Sequence, residues 1–481
     1  SQTSFLSRRL RTPERDTQKK AERKIEAAYE NGINKPIQRP IFLLPQETLP
    51  FALYALLAIA LLRLYFYPLR LPPSPDSSHL PQSTVPISSH SSFSPPAASS
   101  SVSSSAEEAR PNETPCDYFN GKWVRDNRGP LYNGTTCGTI KEGQNCISHG
   151  RPDTGYLYWR WKPTHCDLAR FEPQSFLQLV RHKHLAFVGD SMARNQLESL
   201  LCMLATVSTP NLVYRNGEDN KFRRWRFASH NVTISVYWSP FLVKGVEKSS
   251  TGPNHNELYL DLVDERWAKD LNQIDLIVLS LGHWFLHSAV YYEGDSVLGC
   301  HYCPGLNHTE IGFYDVLRKA LRTTLKSIIE RTSVNNNRDR IKITVTTFSP
   351  AHFEGEWDKA GACPKTEPFR EEEKELEGMD SDMRKIEVEE VEGAKANYNE
   401  KFGRGFRLEA LDVTKLALMR PDGHPGPYMY PFPFADGAKE RVQNDCVHWC
   451  LPGPIDTWNE IFLQMINKWN NNDQPTSSWV N

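Results

Sequence analysis

No excess of positive charge runs through this chain. Its 56 Lys and Arg face 58 Asp and Glu, for a net charge of −2, so the electrostatic footprint of a nucleic-acid binder is missing and no nucleic-acid partner is expected. Glycine-rich loops of the kind that cradle nucleotide phosphates are absent too. Cysteine is missing from everything before Cys116, and the first Asn-x-Ser/Thr sequon is Asn112. Hydrophobic residues make up 39% of the chain, enough for a large core, which excludes disorder throughout. The N-terminal region differs sharply from the middle.

Residues 8–39 hold ten Lys or Arg against five acids, and the apolar run "FALYALLAIALL", Arg63 and "LYFY" follow before Pro68. Phe51 to Tyr67 is at the short end of a membrane span, with Arg63 near enough to one end to snorkel. Basic residues on the N-terminal side predict that side cytoplasmic. A cleaved signal peptide fits less well, because the apolar run begins some fifty residues in. Of the 35 residues from Leu71 to Ser105, 22 are Pro or Ser, a composition that buries no core and reads as an extended stem.

All ten cysteines (Cys116, Cys137, Cys146, Cys166, Cys202, Cys300, Cys303, Cys363, Cys446 and Cys450) and all four sequons (Asn112, Asn133, Asn231 and Asn307) lie beyond that run. Cysteines and glycosylation signals confined to one side of a span indicate an oxidising, glycosylating lumen. The expected organisation is a cytoplasmic tail over 1–50, a signal anchor over 51–67, a lumenal stem over 68–115, a Cys-rich segment over 116–180 and a main domain over 181–475, in a single-pass type II protein. "CHYC" at 300–303 and "CVHWC" at 446–450 also suit zinc. An even count in a lumen favours disulfides instead, with no metal, and leaves their connectivity open.

The Cys-rich segment shows no strong period, so it reads as loop-rich and disulfide-stapled, its aromatics either packed inside or lining a carbohydrate groove. After residue 180, short apolar runs at 185–188, 232–238, 274–281, 341–348 and 406–413 predict strands. Helical patterns are expected at 192–205, 312–330, part of 371–400 and 457–470. Alternating strands and helices predict an α/β fold with a parallel sheet, whose ligands gather at the carboxyl ends of the strands. The charged run from Glu371 to Glu392 reads as a solvated helix face.

"HLAFVGDSMARNQLESLLCML" at 184–204 carries a buried strand through Gly189-Asp190-Ser191 into a helix whose Leu197, Leu200, Leu201 and Leu204 form one apolar face. Ser191 is either a cap of that helix or a nucleophile, and a nucleophilic hydroxyl needs an imidazole to take its proton. "NDCVHWCLPGPIDTWNEIFLQMINKW" supplies one. Trp458, Ile461, Phe462, Met465, Ile466 and Trp469 mark a helix, with Thr457 and Glu460 spaced as a capping box. Asp445 and His448 precede it on a loop flanked by Cys446 and Cys450, where the carboxylate can orient the imidazole. No Gly-x-Ser-x-Gly elbow surrounds Ser191, unlike the α/β-hydrolases.

"GDSMARNQ" with "DCVHWCLPGPIDTWNE", preceded by "CDYFNGKWVRD" and "GRPDTGYLYWRWKP", resembles the plant trichome-birefringence-like proteins, polysaccharide O-acetyltransferases related to the GDSL/SGNH esterases. The resemblance runs from about residue 115 to 470. It implies an SGNH-like parallel sheet flanked by helices, with the Cys-rich segment packed on it, in an enzyme of the Golgi membrane that moves acetyl onto hydroxyls of a cell-wall polysaccharide. Carried over, Ser191, Asp445 and His448 form the triad. Residues 217–316, including "GEDNKFRRWRF", "SVYWSPFLV" and "GCHYC", most resemble the xyloglucan-acting subgroup; mannan, xylan and pectin stay open, as does an esterase using water with the same triad. A non-catalytic glycan-binding protein is disfavoured by the intact triad. No cofactor is implied. The acetyl donor, or a membrane protein supplying it, is not readable.

The wider superfamily places a Gly-x-Asn for the oxyanion hole where this chain has "SLGHW" at 280–284. Gly282 can still donate its N–H, and the Asn role falls to Arg194 or Asn195, with Gly189, Asp190 and His283 as further candidates around the site. Arg194 reads equally as an i,i+4 partner of Glu198, and Asn195 as a solvated helix residue. Asp422 and His424 in "MRPDGHPGPY" either shape the site or form a turn. His301 and His352 receive no role.

Overall fold

The computed structural model describes residues 116–216, 221–334, 341–402, 407–437, 439 and 441–472. The expected tail, anchor and stem, with Asn112, lie outside them. Among the described residues no helix is long and apolar enough to cross a membrane.

In the Cys-rich segment β1 (Gly121–Arg125) pairs antiparallel with β2 (Trp159–Pro163), and Trp123 meets Trp161 edge to face at 5.6 Å. This two-stranded sheet was not foreseen from the sequence. Packing is the fate of most aromatics here, since Trp123, Tyr132, Tyr156, Trp161, Phe171 and Phe176 are buried.

The chain continues through α1 (Pro173–Leu179), β3 (His184–Gly189), α2 (Ser191–Ala205), β4 (Asn211–Asn216), β5 (Phe222–Phe227) and β6 (Val232–Trp238). Then come β7 (Val243–Val246), β8 (Asn256–Val263), β9 (Leu276–Ser280), β10 (Ala289–Glu293) and β11 (Ser296–His301). Completing it are α3 (Tyr314–Val334), β12 (Lys342–Thr346), α4 (Gly378–Phe402), β13 (Arg407–Leu411) and α5 (Asp456–Asn472).

The main sheet has the order β13-β12-β9-β3-β6-β5-β4. The five strands from β13 to β6 run parallel, as expected, and β5 and β4 extend the sheet antiparallel. β3, β9 and β12 are buried along their whole length; β3 and β9 accordingly read as apolar runs, whereas β12 buries Lys342, Thr344 and Thr346 in alternation with Ile343 and Val345. A second sheet, β11-β10-β8-β7, lies outside the sequence expectation.

α2 is buried on nearly every side because it lies between the sheet and α5. On α5 all six residues of the predicted stripe are buried, each contributing roughly 1.5–3 kcal/mol. The expected capping box does not form. The helix begins at Asp456, so Thr457 is already inside it; Asp456 accepts from Gly453 N–H at 3.2 Å and Glu460 from Phe171 N–H at 3.4 Å.

The cysteines pair as Cys116–Cys166, Cys137–Cys202, Cys146–Cys450, Cys300–Cys303 and Cys363–Cys446. Two bridges join the Cys-rich segment to the main domain, one into α2 and one into the loop after His448. Cys446 and Cys450 go to separate partners, so "CVHWC" is not a two-sulfur metal clip. Glu310 lies within 4.8 Å of Cys300 and Cys303, whose sulfurs are spent on each other. Asn133, Asn231 and Asn307 are all exposed.

Candidate active site

β3 ends at the carboxyl edge of the sheet, where Gly189 and Asp190 are tied down: Asp190 N–H donates to the Ser280 carbonyl at 3.2 Å and Ser239 N–H to the Gly189 carbonyl at 2.9 Å. A Cβ on Gly189 would lie 1.7 Å from the Ser280 oxygen, so only glycine allows β3 and β9 to converge there. Asp190 is the cap of α2, its carboxylate accepting from Met192 N–H at 2.9 Å. Ser191 is therefore released from the capping role and sits at the first position of the helix. Burial pushes the Asp190 carboxyl up to about 6, against the Met192 N–H bond, the nearby His448 and the main-chain N–H groups of His283 and Ala193.

His448 and Asp445 meet on the loop before α5. His448 Nδ1 lies 2.7 Å from Asp445 Oδ2, while Asp445 Oδ1 accepts from the N–H groups of Val447 at 3.0 Å and His448 at 2.9 Å. Burial pushes the Asp445 carboxyl up, but attraction to His448 and these bonds together outweigh it and hold the group well below the usual carboxylate range. A carboxylate on Nδ1 fixes the tautomer that leaves Nε2 as the basic nitrogen. That Nε2 is buried and meets no hydrogen-bond partner in the protein among the described residues.

The loop is fixed to the helix of Ser191. Asn195 Oδ1 accepts from Trp449 N–H at 2.7 Å and its Nδ2 donates to the Trp449 carbonyl at 3.3 Å. The interstrand-like pair of Gly426 and Asp445 and the bridges at Cys446 and Cys450 fix its remaining sides. A carboxylate–imidazole pair on a braced loop, beside a helix that starts with a serine, is the equipment of acyl transfer through a serine ester.

Residues 168–465 match PC-Esterase, the GDSL/SGNH-like acyl-esterase family found in Pmr5 and Cas1p, and residues 114–167 match the PMR5 N-terminal domain. The chain belongs to the PC-Esterase family. A relative named Xyloglucan O-acetyltransferase 1 from Populus trichocarpa is 71% identical, covering 89% of this chain and 95% of its own. One of the same name from Arabidopsis thaliana is 55% identical over 91% of this chain and 98% of its own. Protein trichome birefringence-like 26 of Arabidopsis thaliana is 45% identical over 73% and 76%.

In this PC-Esterase chain several candidate residues stand elsewhere than their sequence patterns suggest. Asn195 is neither solvated nor aimed at a substrate oxygen: it is buried, and both its polar atoms are engaged by Trp449. Arg194 does not pair with Glu198. Glu198 is buried and takes Arg223 at 2.9 Å and Lys141 N–H at 3.3 Å, while the Arg194 guanidinium lies 5.4 Å from the Trp238 ring centre. Trp238 faces Gly189 across the β3–β6 register, so this Arg–Trp contact borders the turn that carries Ser191.

Gly282 and His283 form the turn after β9. Gly282 has φ +144°, and a Cβ there would come within 2.6 Å of the Phe348 ring. The buried His283 ring packs on Phe348 at 4.6 Å, and burial brings it down to about 3, with the neighbouring His448 adding to the effect. A neutral His283 adds no competing cation beside His448.

Two residues were missed by sequence reasoning, Glu387 and His352, while His424 stood as either a shaper of the site or part of a turn. Glu387, inside the charged run read as a solvated face, is fully buried on α4 and accepts from Phe348 N–H at 2.7 Å. Residues 371–377 precede that helix, and Glu390 instead clasps Arg318 and Arg322 of α3. His352 and His424 lie directly behind the His448 main chain. No local signal marks their pairing, because these contacts join segments far apart in sequence. Asp422 is buried against Arg420 at 2.7 Å.

Proposed function

We propose that this protein transfers acetyl groups to hydroxyls of xyloglucan, through an acetyl ester on Ser191. In the first half, His448 Nε2 takes the Ser191 hydroxyl proton as Oγ attacks the acetyl carbonyl of the donor, and the protonated imidazole then gives that proton to the departing donor group. In the second, His448 takes the proton of a sugar hydroxyl as its oxygen attacks acetyl-Ser191. Collapse returns the proton to Ser191 Oγ and releases the sugar acetate. Asp445 stays ionised throughout, orienting His448 and stabilising its charged form. The Ser191 and Gly282 N–H groups are the donors assigned to the oxyanion.

The observation that carries this reading is the 2.7 Å Asp445–His448 pair with a buried, unengaged Nε2. The acceptor follows from the names of the relatives that span nearly all of this chain. The enzyme works in the Golgi lumen as a type II membrane protein anchored by 51–67, with the stem over 68–115 and the catalytic domain over 181–475. It needs an acetyl donor, or a membrane protein that supplies one, and no resident cofactor.

The test is to incubate the purified full-length chain with an acetyl donor and, separately, deacetylated xyloglucan, mannan, xylan and pectin, and to read the products by mass spectrometry. Acetate on xyloglucan, with acetyl trapped on Ser191 when glycan is omitted and both signals lost in Ser191→Ala, is the expected result. Free acetate alone would make the chain an esterase. Undiminished transfer by Ser191→Ala would overturn the mechanism.

A further inference from the structure

His352 and His424 make a chain of three short contacts. His352 Nδ1 is 2.7 Å from His424 Nε2, His352 Nε2 is 2.8 Å from the Leu418 carbonyl oxygen, and His424 Nδ1 is 2.8 Å from the carbonyl oxygen of His448. A carbonyl oxygen only accepts, so each outer nitrogen must carry a proton. The inner contact between two nitrogens needs one as well. Three hydrogen bonds thus require three N–H protons, and two neutral imidazoles bring two.

We infer that His352 and His424 share one extra proton, and that this buried imidazole–imidazolium pair is a positioning unit for the catalytic loop. Its hold on that loop is double. His424 Nδ1 donates to the His448 carbonyl, and the His352 main-chain N–H donates to the Cys446 carbonyl at 3.0 Å. A charged donor makes the stronger bond, so the shared proton stiffens the support behind the residue whose Nε2 must meet Ser191.

The surroundings set the cost of that charge. Facing the pair are Asp422, itself bound to Arg420, and Asp445 with His448 from the catalytic loop; Arg151, which donates to the carbonyls of His424 and Asp422; and Lys374 from the segment before α4. Trp449 stacks on His424 at 4.2 Å and Phe369 lies 6.1 Å from His352. Burial opposes the charge most, pulling His352 down to about 4 and His424 well below the usual imidazole range, with the two carboxylates working the other way. Against this stands the alternative: a neutral pair must set two lone pairs against each other at 2.7–2.8 Å in one of the three contacts. That repulsion opposes the neutral state, and only the charged pair gains all three bonds.

The proton count stands apart from the proposed reaction; its catalytic consequence rests on the role assigned to His448. The full chain labelled with ¹⁵N at histidine is examined by NMR at neutral pH, with His352→Gln and His424→Asn assigning the signals. Protons on both outer nitrogens together with a strongly deshielded proton between the inner two are expected. Only two protonated nitrogens among the four would overturn the inference, and this count is read on the unaltered chain even if a variant fails to fold.

Turnover gives the second arm. His424→Leu removes the tether and is expected to lower kcat about tenfold with KM unchanged, the scale of one charge-assisted hydrogen bond. His424→Asn keeps a donor where Nδ1 stood but cannot share a proton. It is expected to recover most of that loss at neutral pH and to lack the alkaline fall in kcat expected of the unaltered enzyme as the pair gives up its proton. Identical pH profiles for the unaltered enzyme and His424→Asn would overturn the positioning role. A failure of the acetyl-serine reading would appear in Ser191→Ala instead and leave the nitrogen count untouched.

Discussion

Asn195 holds the main chain of Trp449 at both of its polar atoms, with 2.7 Å to the N–H and 3.3 Å to the carbonyl. Asn195 is one turn beyond Ser191, and Trp449 follows His448. A single amide therefore ties the helix of the proposed nucleophile to the loop of its base.

Asn195→Ala should weaken both stability and turnover. Each main-chain group left unpaired in that buried position costs about 1–3 kcal/mol, and a shift of about 1 Å at a reacting pair costs on the order of a hundredfold in rate. Asn195→Asp keeps the acceptor for Trp449 N–H and should fall between the two. Melting temperatures and kcat for both variants check this; a loss of stability with unchanged kcat would reduce the amide to a structural brace.

Removal of individual disulfides should have very unequal effects. Cys146–Cys450 closes 304 residues, whereas Cys300–Cys303 closes three. On chain entropy the first contributes roughly 5 kcal/mol or more and the second at most about 2. The double variant Cys146→Ala, Cys450→Ala should unfold far earlier and lose activity, since the bridge also pins the loop after His448. Cys300→Ala with Cys303→Ala should melt close to the unaltered chain. Equal melting shifts would show that loop length does not govern these bridges.

Much of this architecture is legible locally, and what is not has a physical reason. The parallel strands announce themselves because both faces are covered: Leu185–Val188 and Leu276–Ser280 have no polar alternation to blur them. The second sheet is quieter. In Asn256–Val263 only Leu258 and Leu260 alternate with outward Tyr259 and Asp261, a half-buried pattern easily read as loop. Ser191, Asp445 and His448 stand in motifs whose chemistry shows in a few consecutive residues. Asn195, His352, His424 and Glu387 act through main-chain groups of distant segments, and the sequence holds no trace of which carbonyl or N–H each will meet.

Gly189→Ala should be close to lethal for folding. The new Cβ would fall 1.7 Å from the Ser280 oxygen and 3.2 Å from the Ala193 Cβ, so β3 and β9 would have to part at the base of the site. The expected cost exceeds about 4 kcal/mol, a large share of a domain's net stability of roughly 5–15 kcal/mol. Thermal melting or protease resistance of the variant measures it. A near-normal melt would mean that the two strand ends separate easily, and the rigid-turn account of Ser191 would fall with it.

Glu387 gives a pH test with a definite sign. Burial pushes its carboxyl well above the usual range, with Asp412 and Asp190 pushing the same way and Phe348 N–H and Arg384 opposing. The folded protein therefore keeps this proton while the unfolded chain releases it near a pKa of about 4.3. Below that value both states are protonated and the group costs nothing. As pH rises above it, the unfolded state gains by ionising and the native state does not, so stability falls by up to about 1.4 kcal/mol per pH unit until the folded group ionises too. Glu387→Gln is a stand-in for the protonated acid that still accepts from Phe348 N–H through its amide oxygen, and it removes this slope. Its melting temperature should match the unaltered chain near pH 4 and exceed it by a margin that widens toward neutral pH. A difference that stays constant across that interval would mean that Glu387 is ionised in the fold, and that Arg384 and the Phe348 N–H outweigh the burial.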